Sequence, residues 1–273
     1  MPDLRPLIPL AALGLIYRIG LRRLWERAGP GRLVTSRQVQ CFAAGLLVTA
    51  AAVASPLDRA ADRFLTAHMV QHVVLLTVAG PLLALGAPLP TALWALPEGW
   101  RAAALRRWRR LATSSRGAGW YVWAATSITL TSMVMWAWHA PVLYQAALHN
   151  SAVHGLEHGS YLAVSMLQWW ALAVTRRARR GAATLAVFMA AFPATALGAA
   201  MLLAPRPWYP DYVRTTVASA LSDQQMAGVV MWAFGGLVYV LAAAVLFGTW
   251  LSAAPADELP VRPGPFPVAK EVT

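Results

Sequence analysis

Six long apolar runs constrain this chain more than any other feature, because each is close to the length that an α-helix needs to cross a bilayer. Such a helix takes about 20 mostly apolar residues, and it satisfies its backbone hydrogen bonds internally. A seventh run, residues 7–24, is weaker because Pro6, Pro9 and Arg18 interrupt it. The sequence therefore predicts an all-α, polytopic bundle of seven transmembrane helices. The six clear runs are residues 38–54, 64–86, 120–138, 152–175, 182–203 and 225–251.

Composition agrees with this prediction. Of the 273 residues, 58% are hydrophobic and 12% are charged, which is typical of a membrane protein and not of a soluble or disordered chain. We expect one transmembrane domain over residues 1–252 and a Pro-rich, disordered cytoplasmic tail over residues 253–273. Cys41 is the single cysteine, so the chain has neither an internal disulfide nor a thiolate cluster for metal.

The distribution of arginine predicts the orientation. A formal net charge of +12 would suggest a nucleic-acid partner, but the arginines lie between the apolar runs, so we predict no such partner. Three alternate loops carry 16 arginines and the opposite side carries five; loops rich in Lys and Arg stay in the cytoplasm. The sixteen are Arg18, Arg22, Arg23, Arg27, Arg32, Arg37, Arg101, Arg106, Arg107, Arg109, Arg110, Arg116, Arg176, Arg177, Arg179 and Arg180.

One Arg-rich loop has a helical pattern of its own. In WRAAALRRWRRLA, a stripe of Trp100, Ala104, Trp108 and Leu111 runs among the arginines. A basic amphipathic helix of this kind binds the surface of a membrane that contains anionic lipid. A solvated basic loop fits the same residues equally well.

The histidines all fall at one end of the predicted bundle. Four of the six form i,i+4 pairs, His68/His72 in HMVQH and His154/His158 in HGLEH. Residues four apart share a helix face, so each pair can direct two imidazoles at one ion. His139 ends the intervening helix at the same level, on the non-cytoplasmic side. An ionisable residue inside a membrane indicates function by default, so the pattern predicts a metal site there.

Further polar and sulfur-containing side chains occur at the same level. Carboxylates and amides can orient metal-binding imidazoles, and thioethers favour Cu(I). His149 lies in the short connection that precedes the second pair, and we expect it to be an ordinary interfacial residue. Most of the methionines are expected to serve packing. The auxiliary candidates are Met135, Glu157, Asp223, Gln224, Gln225 and Met226.

Two other chemistries fit parts of this pattern. HGLEH has the form of an inverted zinc-protease motif, H-x-x-E-H, but the sequence shows no distal third ligand, and HMVQH lacks a catalytic Glu. Paired membrane histidines can also bind a b-type haem. Both members of one i,i+4 pair cannot bind the same haem iron, because axial ligands approach from opposite faces, although one histidine from each helix could.

Taken together, three stretches resemble the CtaG family of assembly factors for caa-type cytochrome c oxidase. They are HMVQHVVLLTVAGPLLALGAPLP, the WHAPVLYQAALHNSAVHGLEHGSYL block followed by QWW, and LSDQQMAGVVMW, and they span residues 68–232. The polar positions that match are His68, His72, His139, His154, Glu157, His158, Asp223, Gln224 and Gln225. Met226 departs from the family pattern, in which Leu is expected.

The resemblance implies a non-enzymatic, multi-pass protein of the bacterial plasma membrane that serves a haem–copper oxidase. We expect it to bind copper, with Cu(I) favoured, and to deliver it to oxidase subunits. Its other contact is membrane lipid, and a monomer and a homodimer both remain open. The alternatives are a haem b electron-transfer protein and a metal-free assembly scaffold.

Overall fold

The computed structural model describes residues 6–114, 119–173, 179–212 and 216–252. Secondary structure in these ranges is helical throughout, as predicted. The predicted tail, 253–273, lies outside the described residues. The helices are α1 (Leu7–Ala28), α2 (Ser36–Ala54), α3 (Pro56–Ala61), α4 (Leu65–Val74), α5 (Gly80–Leu85), α6 (Pro88–Ala95), α7 (Glu98–Ser114), α8 (Gly119–His139), α9 (Pro141–His149), α10 (Ser151–Ala173), α11 (Arg180–Leu203), α12 (Val217–Val229) and α13 (Gly236–Leu251).

Four helices are long and apolar enough to cross a membrane by length and composition: Ser36–Ala54, Leu65–Leu85, Arg180–Leu203 and Ala218–Leu251. Each coincides with one of the predicted runs to within a few residues, apart from an earlier start for the last. The helices α8 and α10 have 21 and 23 residues. Both are therefore long enough to span, although neither is among the four candidates.

Short helices occupy connections that we predicted to be loops from the hydropathy pattern. The connection carrying His149 is one of these, since α9 occupies most of it. Proline stands at the first turn of α3, α6 and α9, where its missing N–H has no intrahelical partner to lose and its fixed φ favours the helix. The predicted basic helix is present as α7, with Trp100 exposed.

Two π-helical segments interrupt the long α4–α5 and α12–α13 helices. The first, Leu75–Ala79, joins α4 to α5, and the second, Val230–Gly235, joins α12 to α13. The first immediately precedes Gly80-Pro81, where the proline ring removes a backbone donor and clashes with the preceding turn. A wider π turn accommodates this, and such turns are frequent at functional sites.

The rod formed by α4, the π segment and α5 is the centre of the bundle. In its span 61% of the residues are buried, against 28–33% in the other three candidates. The rod packs against α2, α10 and α12. Gly80 allows α5 to approach α10 closely, because an added Cβ there would collide with the Ser165 side chain of α10. The histidines of α4 therefore lie on the most buried of the four candidate spans.

The two ends of the bundle differ in chemistry. At one end, which we call the histidine end, lie the N-termini of α4 and α10 and the C-terminus of α8. At the other, arginines satisfy helix C-terminal carbonyls: Arg23 donates to Ala95 O at 2.8 Å and Arg180 to Thr249 O at 3.0 Å. Cations at helix C-termini also interact favourably with the helix dipole.

Candidate metal centre

The two histidine pairs face each other across the α4–α10 interface. The ring centroids of His68 and His154 are 5.3 Å apart, and those of His72 and His158 are 5.6 Å apart. Within each pair the centroids are 4.5 Å (His68–His72) and 4.3 Å (His154–His158) apart. The four imidazoles therefore form one group, as i,i+4 spacing on two neighbouring helices allows.

Glu157 lies inside this group. Its carboxylate oxygens are 3.3 Å from His72 Nε2 and 3.8 Å from His68 Nε2. One ligand atom from each of His68, His154, Glu157 and His158 lies within 4.8 Å of the others. The carboxylate of α10 thus lies beside both pairs, a position that the sequence motif HGLEH does not reveal. We call His68, His72, His154, Glu157 and His158 the histidine cluster.

Most of the cluster is buried, yet seven of its side-chain nitrogen and oxygen atoms lack hydrogen-bond partners among the described residues. His68, His72 and Glu157 are at most 1% exposed. The atoms without partners are His68 Nε2, His72 Nδ1, His72 Nε2, His154 Nε2, His158 Nε2 and both carboxylate oxygens of Glu157. Buried polar groups are normally paired, so such a convergence of nitrogen and oxygen atoms fits a bound cation. Imidazole and carboxylate are common ligands of transition metals.

Hydrogen bonding assigns the tautomer of His68. The Tyr212 hydroxyl donates to Ala61 O at 2.9 Å, and burial raises the pKa of this phenol, so it keeps its proton. The single hydroxyl hydrogen of Tyr212 is therefore already donated to Ala61 O. His68 Nδ1, 3.3 Å away, must therefore donate to the Tyr212 oxygen. The lone pair of His68 then lies on Nε2 and points into the cluster, the arrangement seen when a metal-binding histidine is oriented by a second group.

Four buried tyrosines surround the cluster, and the sequence analysis did not identify them. Tyr144 and Tyr209 stack with ring centroids 4.1 Å apart, and the hydroxyls of Tyr144 and Tyr212 are 3.3 Å apart. Tyr161 packs on His72 at 4.7 Å. These side chains come from α9, α10 and the segment before α12, so three separate parts of the chain enclose the site. Their phenols would exclude water from a bound ion.

His139 lies beside the cluster and is held by α8. Its Nδ1 is 2.7 Å from Met135 O, one turn earlier, and its Nε2 is 3.2 Å from Met69 Sδ. Its ring centroid is 5.5 Å from that of His72. Met135 is buried, and the contact that it makes to His139 is through its backbone carbonyl.

Asp223 and Gln224, in the middle of α12, bind neighbouring segments of the chain. Asp223 accepts hydrogen bonds from Leu65 N at 2.7 Å and Thr66 N at 3.1 Å, which satisfies two free donors at the N-terminus of α4. Gln224 accepts from Trp208 N at 2.6 Å and donates to Met201 O at 3.2 Å. The Asp223 contacts fix the start of the helix that carries His68 and His72, and the Gln224 contacts join α12 to the end of α11 and the segment that follows it.

The remaining candidates lie away from the cluster or at its margin. Gln225 is half-buried. Met226 is 55% exposed, so its thioether does not share the enclosed environment of the histidines. His149 is exposed; its Nδ1 bonds to Gln145 O at 2.7 Å, and its Nε2 is 3.7 Å from Asp211. It therefore makes an excellent control position.

One side of the cluster borders an open cleft between α1, α2 and α10. The cleft has a volume of about 610 Å³, and His154 and His158 line it together with Asp58, Gly155 and Gly159. An added Cβ on either glycine would meet nothing within 4 Å. His154 is half-buried and is the more accessible member of its pair. His68 and His72 are almost completely buried and do not line the cleft.

Comparison with known proteins agrees with the sequence motifs. The model of the family described as cytochrome c oxidase caa3 assembly factor (Caa3_CtaG) matches residues 15–253. Neither the curated proteins nor the solved structures gave a match. The family match covers most of the chain and includes every residue of the histidine cluster. The chain therefore belongs to the CtaG family of cytochrome c oxidase caa3 assembly factors.

Proposed function

We propose that this assembly factor binds copper in the histidine cluster and supplies it to the haem–copper oxidase without catalysing a reaction. The observation that carries the proposal is the convergence of unpartnered nitrogen atoms from His68, His72, His154 and His158 in a buried site. Four imidazoles are a suitable donor set for copper. Glu157, also buried in the group, would offset the charge of the ion in a medium of low dielectric.

The arrangement of the histidine cluster also suits transfer of copper to the oxidase. His154 and His158 border the cleft of about 610 Å³, so an incoming ligand of the oxidase could reach the ion from that side. His68 is instead covered by Tyr144, whose ring centroid lies 5.0 Å from that of His68 and which stacks on Tyr209. A site that is enclosed on one side and open on the other can hold copper and still release it.

Haem is a poorer occupant of this site. A bis-histidine haem places the macrocycle between its two axial imidazoles. The space beside any imidazole pair of α4 and α10 is occupied by the other two imidazoles and by the Glu157 carboxylate. A porphyrin is much wider than an imidazole, so it would displace these side chains, whereas a single ion would not.

Metal analysis of the purified protein tests the proposal. We expect copper to copurify or to bind on addition as Cu(I), with no Soret band in the optical spectrum. An intense Soret band would indicate haem. Absence of both copper binding and haem would favour the metal-free scaffold.

The location of the site follows from the arginine distribution. We propose seven crossings of the bacterial plasma membrane, with the Arg-rich end in the cytoplasm and the histidine end outside it. Reporter fusions after Arg59 and near His149 should report the outside, and fusions near Arg109 and Arg179 the inside. A cytoplasmic signal from the fusion near His149 would contradict delivery of copper on the outer side.

A further inference from the structure

Met69 lies in the middle of the first histidine motif, HMVQH, and contacts His139 of a different helix. It is fully buried. Met69 and His72 are three residues apart on α4 and so share a face. The sulfur atom therefore lies at the edge of the histidine cluster, on the side where α8 packs.

The contact between Met69 and His139 is unfavourable without a cation. His139 Nδ1 is 2.7 Å from Met135 O, and a carbonyl only accepts, so Nδ1 carries the proton. A second proton on Nε2 would make a buried, charged imidazolium, which is costly. The lone pair of Nε2 therefore faces the sulfur lone pairs at 3.2 Å. His139 Nε2 and Met69 Sδ therefore both have a lone pair available to bind a metal ion.

The separation of the two atoms fits a shared ion. Metal–ligand bonds of about 2.0–2.3 Å at a tetrahedral angle place neighbouring donor atoms about 3.5 Å apart. The third nearby ligand is His72, whose ring centroid is 5.5 Å from that of His139. Neither of its nitrogens has a hydrogen-bond partner among the described residues, although Nε2 lies 3.3 Å from Glu157. One thioether and two imidazoles are a donor set that favours Cu(I) over Zn(II).

We propose that Met69 is a copper ligand, and that its thioether, with His139 and His72, forms a Cu(I)-selective site beside the carboxylate of Glu157. This inference rests on the proposed copper-binding function. It makes Met69, and not the exposed Met226, the sulfur atom that determines metal specificity. It also gives His139 a ligand role on the side of the cluster away from the cleft.

X-ray absorption of the Cu(I)-loaded full-length protein tests this directly. The wild type should show a sulfur scatterer at bonding distance, and Met69→Leu should lose it. A Leu in place of Met conserves side-chain volume, so the core should tolerate it. Met201→Leu, in the same buried core, is the matched control and should keep the sulfur signal.

Competition between metals provides a second readout. Met69→Leu should reduce the preference for Cu(I) over Zn(II) by about tenfold or more, while Met201→Leu leaves it unchanged. Copper bound by the wild type with nitrogen and oxygen scatterers alone would overturn the role of Met69 and leave the proposed function standing. Wild-type protein that binds no copper would overturn the proposed function itself. An unchanged sulfur signal in Met69→Leu would assign the sulfur to another methionine and reject the inference.

Discussion

Replacing His158 by Ala should weaken Cu(I) binding by more than about 100-fold, since loss of even an orienting group costs 10–100-fold in metal affinity. His158 is 8% exposed, and its Nε2 has no partner among the described residues. Replacing His72 should have an effect of the same size, because this side chain lies between His68, His139 and His158. The measurement is a competition titration of purified protein against a Cu(I) chelator.

Two control variants fit the same experiment. His149→Ala alters an exposed histidine outside the cluster, and Cys41→Ser removes the single thiol of the chain. Both should bind Cu(I) as the wild type does. Equal affinity of His72→Ala, His158→Ala and wild-type protein would reject the site. A loss of affinity in His149→Ala as large as that in His158→Ala would point to a nonspecific effect of removing imidazole.

The helices could be predicted from sequence because hydropathy and length determine them directly. The runs that became α2, α4–α5 and α11 were located to within a few residues. The helix α9 was not predicted, because at nine residues it is too short to give a transmembrane signal. Its start at Pro141 could have been recognised from the proline preference for the first helical turn.

The members of the site were partly predictable for a similar reason. The i,i+4 spacing of each histidine pair gives a shared face without knowledge of the fold. The position of Glu157 beside His72 depends on how α10 packs against α4, and a single sequence does not contain that information. Met69, which we propose as a ligand, was not predicted from sequence, because methionine in a buried helix usually serves packing.

Asp223 illustrates how a polar residue at the right level can serve a different purpose. From the sequence we expected it to be an auxiliary group for the metal. In the structure its carboxylate binds Leu65 N and Thr66 N, so it holds the N-terminus of α4 in place. Distinguishing these roles requires knowledge of which backbone donors are free nearby, and this comes only from the fold.

Cells that lack this protein should contain oxidase polypeptides with haem inserted but with little copper and little activity. The reason is that every candidate ligand lies at the histidine end, opposite the basic end of the bundle, where copper would be exchanged outside the cytoplasm. A supply defect responds to mass action, because raising the free metal raises the occupancy of an unfilled site. Added copper should therefore restore part of the oxidase activity.

The same expectation applies to a strain that carries His154→Ala. His154 is the accessible member of its pair and lines the cleft, so its loss should impair exchange of copper while the rest of the protein remains. A strain carrying His149→Ala should resemble the wild type at every copper concentration. A defect in the His154→Ala strain alone would therefore be a defect of the copper site, because both strains retain the rest of the protein.

The most direct test of copper delivery is the copper content and activity of the oxidase across a copper titration in the deletion and His154→Ala strains. We expect copper-poor oxidase at low copper in both strains, with copper content and activity rising together as copper is added. Oxidase with normal copper content and low activity in the deletion strain would contradict delivery of copper by this protein.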